Sequence, residues 1–275
     1  MDFLIINGEI IRKEEANLTH LFWDEPILLS QKIWFGFGGI PLFSQNLDSI
    51  IQQLEIFNIE TPAFLKNQRE LFRISKRMLN KNKFYRSGII NFQLFIKDIH
   101  IDYVISSIAY PEFEFPFSRQ GLLVNFATSK RNVPNQLNRY LFYNKTNWKI
   151  KKSQIRDTSF QNSVLVNHTG MICEGIASNI FMIKENALIT PSLESGCFED
   201  SIRNPILELA SELQLKLNEI QNIKKERIVE MNEVFFASEE HGIQWILGIE
   251  NKRFVHQMTT RIHEKLNDYL KTKID

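Results

Sequence analysis

The chain has 275 residues, of which 43% are hydrophobic and 24% are charged, and its formal net charge is +1. A chain of this length accommodates one large domain or two medium ones with a sizeable core. The nearly balanced charge excludes a strongly basic or acidic surface, so we expect neither nucleic acid nor a membrane surface as a partner.

The cysteine content and the N-terminal segment indicate a cytoplasmic location. Cys173 and Cys197 are too few for a disulfide framework, and we expect two reduced, buried thiols. Residues 1–7 lack the basic segment and cleavage site of a signal peptide. No apolar run approaches the roughly 20 residues of a membrane span.

The first part of the chain predicts alternating strands and helices. Apolar residues with period two, bounded by turn residues, predict strands, and apolar residues with helical spacing predict helices. The predicted strands lie in residues 3–11 (a hairpin turning at Asn7-Gly8), 31–42, 89–96 and 101–108, the last two joined by a turn at Lys97-Asp98. The predicted helices are residues 47–57 and a helix from Thr61-Pro62 to about residue 80.

The second part also predicts a mixture of strands and helices. Residues 110–120 contain two prolines and no periodicity, which is typical of a linker. The predicted strands are residues 122–127, 163–167, 171–173, 179–183 and 233–237, and the predicted helices are residues 147–156, 204–213 and 257–270. We therefore predict two α+β domains, residues 1–112 and 121–275, connected by residues 113–120.

A group of short motifs in the second half resembles one known family. Residues 167–181 read NHTGMICEGIASNIF, a strand ending in an acid followed by a small-residue turn and Ser-Asn-aliphatic-Phe. They are followed by Leu188-Ile-Thr-Pro191, by Arg203 at a helix start, and by residues 232–236 before Gly242-Ile243. This set is similar to the signature of class IV aminotransferases and aminodeoxychorismate lyases, the fold-type IV enzymes that use pyridoxal phosphate (PLP).

The resemblance implies a fold, a cofactor and an assembly. It implies the two-domain α+β architecture of D-amino-acid and branched-chain aminotransferases, with a small-molecule ligand between the domains, and a homodimer. In that family a lysine forms a Schiff base with PLP, an acid bonds the pyridine nitrogen, and an arginine with the starts of two helices holds the phosphate. For the dimer contact we expect aromatic residues of the first domain, such as Phe35 and Phe37.

Two positions of the resemblance concern the cofactor ring. Glu174 matches the acid that faces the pyridine nitrogen. Ungapped alignment from either Gly121 or Glu174 places the family lysine at Leu141, which cannot form an imine. Lys145 is the runner-up for the Schiff base, but using it requires a shift of about one helical turn.

The positions that match the phosphate site differ from the family as well. The family arginine corresponds to Ser49, and the Gly-aliphatic-Thr run corresponds to Asp200-Ser201-Ile202. Ser201 and Ile202 remain the candidates for phosphate contact, while Asp200 and the pair Glu239-Glu240 would repel a phosphate. The family's glycine-rich entrance is matched within residues 23–28 only at Asp24, and the six histidines show no metal-ligand spacing.

Two functions follow from these residues. In the first, the chain is a catalytically silent relative that binds no cofactor and acts by binding a partner or a small ligand. In the second, it is an active PLP-dependent transaminase or 4-amino-4-deoxychorismate lyase that uses Lys145. The sequence leaves enzyme activity open, and it predicts no metal.

Overall fold

The computed structural model describes residues 2–23, 25–97, 100–131 and 133–274. They form two compact units, Met1–Glu114 together with Leu270–Asp275, and Phe115–Tyr269. Both units mix helices and strands, which confirms the predicted α+β class. Among the described residues, no helix is long and apolar enough to cross a membrane.

The boundaries of the two units differ from those of the predicted domains at the linker and at the C-terminal segment. The segment Leu270–Asp275 groups with the first unit, where Ile274 packs so closely on Gly39 that a Cβ there would collide with it. Phe115, in the predicted linker, is buried in the second unit, and its amide donates to Asn267 Oδ1 at 2.9 Å. These contacts are tertiary, so the composition of the segments did not reveal them.

The first unit consists of a five-stranded antiparallel sheet and three helices. The strand order is β2-β1-β5-β4-β3, and the longest pairing joins β4 to β5. The elements are β1 (Phe3–Ile6), β2 (Glu9–Arg12), β3 (Ile27–Phe35), α1 (Phe43–Ile56), α2 (Ala63–Lys66), α3 (Gln68–Lys81), β4 (Ser87–Lys97) and β5 (His100–Tyr110). The predicted hairpin and the two long strands are confirmed, whereas Asp98 of the predicted turn and Asp24 lie outside the described residues.

The second predicted helix is in fact two helices. The chain breaks at Asn67, whose side chain accepts a hydrogen bond from the Glu70 amide and so caps α3. An asparagine side chain in this position satisfies a backbone donor at the helix start, which favours a new helix over continuation of the old one. Lys66 and Gln68 therefore end α2 and begin α3.

The prediction that Phe35 is an exposed contact residue is wrong. Its side chain is buried and stacks on Phe84, with the rings nearly parallel and their centroids 6.5 Å apart. Phe37 is half-buried and packs edge-on against Trp34. The last three residues of β3, Ile33 to Phe35, are all buried, so both faces of the strand are covered at this end, which the sequence did not specify.

The second unit is built on a ten-stranded mixed sheet in the part of the chain that is described. Its order is β11-β10-β9-β13-β14-β6-β7-β8-β12, with β15 paired to β14. The strands are β6 (Leu122–Phe126), β7 (Asn162–Val166), β8 (Met171–Gly175), β9 (Asn179–Lys184), β10 (Ala187–Pro191), β11 (Lys216–Ile220), β12 (Ile223–Lys224), β13 (Glu233–Ser238), β14 (Gly242–Ile249) and β15 (Lys252–Arg253). The helices are α4 (Leu141–Gln154), α5 (Arg203–Glu212) and α6 (Gln257–Lys271).

Helix α4 begins at Leu141, six residues before the predicted start. Its buried residues are Leu141, Asn144, Trp148 and Lys151, which recur at helical spacing. Two of these four are polar, so an apolar pattern could not identify the buried face. The polar members are satisfied by tertiary hydrogen bonds, which place the helix beside Glu174.

Candidate functional site around Glu174 and Asp200

Glu174 is held at the end of β8 by the geometry of the hairpin that β8 forms with β7. It lies opposite Leu165, next to an irregularity in the strand register between Leu165 and Val166. After β8 the chain turns at once, with the Gly175 amide donating to Ser178 O at 2.9 Å. A side chain at Gly175 would collide with Phe236, so this turn lies tightly against β13. The carboxylate of Glu174 is fully buried as a result.

The Glu174 carboxylate is surrounded by donors from the chain itself. Its Oε1 lies 2.5 Å from Arg131 Nη1, in an ion pair whose side chains are both buried. Trp148 Nε1 donates to the same oxygen at 2.8 Å. The Phe198 amide donates to Oε2 at 2.6 Å. A buried carboxylate requires such partners, and here three separate segments of the second unit supply them.

Helix α4 supports this arrangement through its polar buried residues. Arg131 Nη2 donates to Asn144 Oδ1, and Asn144 Nδ2 donates to the carbonyl oxygens of Asn138 and Tyr140 at 2.7 and 2.8 Å. Asn144 therefore fixes the guanidinium in the plane needed to meet Glu174. Lys151, further along the same face, donates to Ser129 O at 2.8 Å.

Apolar residues enclose the ion pair. One core cluster contains Leu141, Trp148, Cys173, Cys197 and Phe198, and Trp148 meets Phe198 edge-on with ring centroids 4.9 Å apart. Leu141, which the sequence alignment predicts at the family lysine position, is a packing residue of this cluster. Both cysteines are free and buried, as the sequence predicted.

Burial dominates the electrostatics of the site. Desolvation raises the pKa of Glu174, although the Arg131 charge and the hydrogen bonds from Trp148 and Phe198 oppose that rise. For Arg131, desolvation opposes the charge of Glu174, and the net effect is a raised pKa. Burial likewise raises the pKa of the Cys173 thiol well above its ordinary value and that of Cys197 to about 12, so neither is a ready thiolate.

Lys145 lies on the first turns of α4, one helical turn after Leu141. Its side chain is half-buried, and it is not among the buried residues of the helix. Residues four apart on a helix share a face, so Lys145 lies beside Leu141 at the edge of the cluster. The sequence's runner-up amine is therefore near the predicted lysine position but not at it.

A second buried carboxylate lies between the start of α5 and the end of β13. Asp200 Oδ1 accepts hydrogen bonds from the Ile202 and Glu239 amides, each at 3.0 Å. The Asp200 amide in turn donates to Asn179 Oδ1 at 3.1 Å. Two amides from separate elements that converge on one point form an anion-binding arrangement, and here the anion is the chain's own side chain.

Asp200 has an unusual ionisation for its type. Burial raises its pKa to about 7, the charge of Glu240 adds to that rise, and the bonds from Ile202 and Glu239 oppose it. The group therefore titrates in the neutral range, although most aspartates are ionised well below it.

Arg203, at the first position of α5, is buried and fully engaged by its neighbours. Its guanidinium donates to Thr190 Oγ1 at 3.1 Å, to Pro191 O at 2.8 Å and to Glu219 Oε2 at 2.7 Å. These bonds tie α5 to β10 and β11. The residue predicted to open a helix does so, and its side chain stabilises the unit.

The structure brings together some of the predicted site residues and adds others. Glu174, Ser201 and Ile202 lie in the second unit, while Ser49 is half-buried on α1 in the first. No group of three or more His, Cys, Asp or Glu side chains suited to a metal ion occurs in the described part of the chain.

Arg131 and Asn144 were missed by sequence reasoning. Arg131 follows Ser129-Lys130 in a loop, where a basic run is usually solvated. Trp148 could have been found, since it lies seven residues after Leu141 on a helix face.

Comparison with known proteins identifies the family of the chain. The model of the family named amino-transferase class IV matches residues 39–249, which is more than half of the chain. The chain belongs to the amino-transferase class IV family. A probable branched-chain-amino-acid aminotransferase of Aquifex aeolicus (strain VF5) is 23% identical over an alignment that covers 98% of this chain and 91% of the relative.

Solved structures show that the fold is shared along the whole chain. Branched-chain amino acid aminotransferase from Thermobaculum terrenum in its PLP form superposes with a TM-score of 0.86 at 18% identity, covering 99% of this chain and 94% of that one. A putative 4-amino-4-deoxychorismate lyase from Legionella pneumophila superposes with a TM-score of 0.77 at 17% identity, covering 89% of this chain and 91% of that one. The predicted fold-type IV architecture is confirmed.

The Arg131–Glu174 pair predicts a strong dependence of stability on Arg131. Arg131→Met leaves the buried Glu174 without its cation, and we expect the free energy of unfolding at pH 7 to fall by about 3–5 kcal/mol. Urea denaturation measures this loss. A buried acid with a raised pKa destabilises the folded protein as the pH rises through that pKa. The loss of stability in Arg131→Met should therefore be smaller at lower pH. The double variant Arg131→Met with Glu174→Gln should recover much of the loss, and an equal loss in both would contradict the assignment.

Asp200 predicts a second dependence of stability on pH. Its folded pKa of about 7 exceeds the ordinary value of 3.8, so the folded state binds the extra proton between these values. Stability from this group is therefore present at low pH and lost as the pH rises through about 7. Asp200→Asn keeps an oxygen acceptor for both amides but has no charge. We expect the stability advantage of the variant over the natural protein to grow from about pH 4 to about pH 7 and to stay level above that, measured by urea denaturation from about pH 4 to about pH 8. A constant difference between the two proteins would contradict the raised pKa.

Proposed function

We propose that this chain is a non-catalytic relative of the class IV aminotransferases and aminodeoxychorismate lyases that acts by binding. The observation that carries the proposal is the saturation of Glu174 by Arg131, Trp148 and the Phe198 amide. In PLP enzymes of this resemblance the acid bonds the pyridine nitrogen, which makes the ring an electron sink when the cofactor is bound. A pyridinium could reach Glu174 only by displacing Arg131 and leaving a buried guanidinium without its counter-charge.

Two further features support the proposal. Leu141 supplies packing and no amine at the lysine position. The Asp200 carboxylate engages the Glu239 amide and also the amide of Ile202, a residue that the resemblance assigns to phosphate contact. A phosphate there would have to displace a carboxylate of like charge. The residues present therefore do not fit PLP.

A second candidate function is an active PLP-dependent transaminase or 4-amino-4-deoxychorismate lyase that uses Lys145. It is favoured by the half-buried position of Lys145, one turn from Leu141 on α4. The similarity to branched-chain aminotransferases is consistent with this alternative. It requires Arg131 and Asp200 to give up the bonds described above.

The two functions differ in whether the protein forms an imine with PLP. The protein is incubated with PLP, reduced with borohydride, weighed by intact mass and mapped after digestion. We expect no stable mass gain at Lys145, because the site around Glu174 and Asp200 is filled by the chain. The same treatment of a branched-chain aminotransferase serves as the positive control, and Lys145→Arg controls for reaction at exposed lysines. A mass gain that maps to Lys145 and is absent in that variant would establish the alternative.

We also propose a homodimer located in the cytoplasm. With Phe35 buried, the candidate contact is a patch of exposed Tyr85, Ile108 and Phe113. Ile108 lies near the end of β5, and Arg86, adjacent to Tyr85, stacks on Phe113 with its guanidinium carbon 5.0 Å from the ring centroid. Exposed aromatic and aliphatic side chains are typical of protein interfaces, which makes these three residues the candidates. A reducing compartment fits the two buried free cysteines, and cell fractionation tests the location.

Light scattering tests the dimer. The natural protein should have twice the chain mass at micromolar concentration, and Ile108→Glu should shift it towards the monomer because a carboxylate is costly to bury. Ile150→Glu is the matched control, since Ile150 is an exposed isoleucine on α4 of the other unit. A monomeric natural protein, or equal effects of both variants, would exclude this contact.

A further inference from the structure

A groove in the first unit has a chemistry that the family site does not explain. It lies between the first turn of α1, the segment from α2 into α3, and the C-terminal tail, and its volume is about 930 Å³. The lining residues, called here the α1–α3 groove, are Ile40, Pro41, Phe43, Ser44, Gln45, Lys66, Asn67, Gln68, Arg69, Phe72, Arg73, Thr272 and Lys273. All of them belong to the first unit.

The bottom of the groove is apolar and fixed. Phe43 and Phe72 meet edge-on, with ring centroids 5.5 Å apart and planes at 77°. Ile40 and Pro41 are buried beside them. The tail that closes one side is held by the packing of Ile274 on Gly39, so the groove is already formed in the free protein.

The rim is basic. It carries Lys66, Arg69, Arg73 and Lys273, and none of the described residues that line the groove is acidic. The whole chain has a net charge of only +1, so this is a local concentration of positive charge.

Two of these cations have acidic neighbours outside the groove. Lys66 pairs with Glu60 and Arg73 with Glu70, both at 3.0 Å. The side chains of both pairs are more than half exposed, and exposed ion pairs of this kind contribute little to stability. The carboxylates of a ligand can therefore replace Glu60 and Glu70 as partners of these cations at little cost in stability.

The backbone adds to the positive potential. The first turn of α1, with Ser44 and Gln45, lines the groove, and its N-cap residue Leu42 makes no side-chain cap bond. The start of α3, with Gln68 and Arg69, lines the opposite side. Helix N-termini carry partial positive charge, so two of them at one groove reinforce the lysine and arginine side chains.

The shape favours an extended ligand over a small molecule. Small-molecule sites bury most of their ligand, whereas the rim residues here, such as Ser44, Lys66, Arg69 and Arg73, are exposed. The amide side chain of Gln45 can donate to and accept from a peptide backbone, while Asn67 caps α3 and Gln68 donates to Asp48 Oδ1 at 3.1 Å. We propose that the α1–α3 groove binds an acidic peptide segment of a partner protein, with an aromatic or aliphatic side chain of the peptide on Phe43 and Phe72.

This inference deepens the proposed function by assigning the class of partner, and it rests on the chain acting by binding. The probes are synthetic fluorescein-labelled peptides rich in glutamate, each with one phenylalanine or leucine, and the same peptides with glutamine in place of glutamate. Fluorescence anisotropy should show saturable binding of the acidic set that weakens as salt is raised. The glutamine set should not bind, and failure of the whole acidic set would overturn the proposal.

Charge reversal at the rim tests the location. The double variant Arg69→Glu with Arg73→Glu should weaken peptide binding by about tenfold or more, since both side chains are exposed and replaceable without loss of packing. Arg77→Glu is the matched control, because Arg77 is exposed on α3 but does not line the groove, and its affinity should stay within about twofold of the natural protein. Equal losses in the two proteins would mean non-specific attraction and would overturn the assignment.

Light scattering on the same variants tests whether a second copy of the chain occupies the groove. If the double variant dissociates a dimer, the groove is an interface between copies and the peptide proposal is wrong. The PLP reduction experiment is read independently. A mass gain at Lys145 would overturn the non-catalytic function without changing peptide binding, and absent peptide binding would overturn this inference without changing that result.

Discussion

The buried ion pair between Glu174 and Arg131 is the interaction on which the second unit depends. A fully buried carboxylate is stable only with a counter-charge and hydrogen bonds, because the chain interior solvates it poorly. Arg131 supplies the charge, while Trp148 and the Phe198 amide complete the bonds. These partners come from a loop, from α4 and from the segment before α5, so one acid fixes the mutual position of three segments.

The same physical logic recurs at Asp200. Two amides that point at one place need an acceptor when they are buried, and the chain provides the acceptor from its own sequence. At both points the buried polar group finds its hydrogen-bond partners within the chain. The acid and the pair of converging amides are therefore stable in the fold because the chain itself supplies their partners.

The surroundings of Glu174 and Asp200 are filled by the chain, whereas the surface of the first unit has an open groove. The apolar cluster around Leu141 and Trp148 is packed, and Asp200 lies over its two amides. In the first unit, by contrast, the α1–α3 groove places cations over a preformed apolar bottom. Exposed basic side chains beside a half-buried aromatic ring, Phe72, are features of recognition, and they lie near the N-terminal ends of two helices.

The sequence by itself determined the fold class, the order of most strands and helices, and the place of Glu174 near the end of a strand. These features depend on local periodicity and on short motifs that can be recognised in a single chain. The alignment of the family lysine with Leu141 stays a prediction. Only the tertiary structure decided that Arg131 neutralises Glu174, since the two residues lie 43 positions apart and nothing local links them. The same holds for α4, whose buried face includes Asn144 and Lys151, and for the tail that packs on Gly39. Polar residues on a buried face look solvated until their partners are in place, and those partners are brought there by the fold.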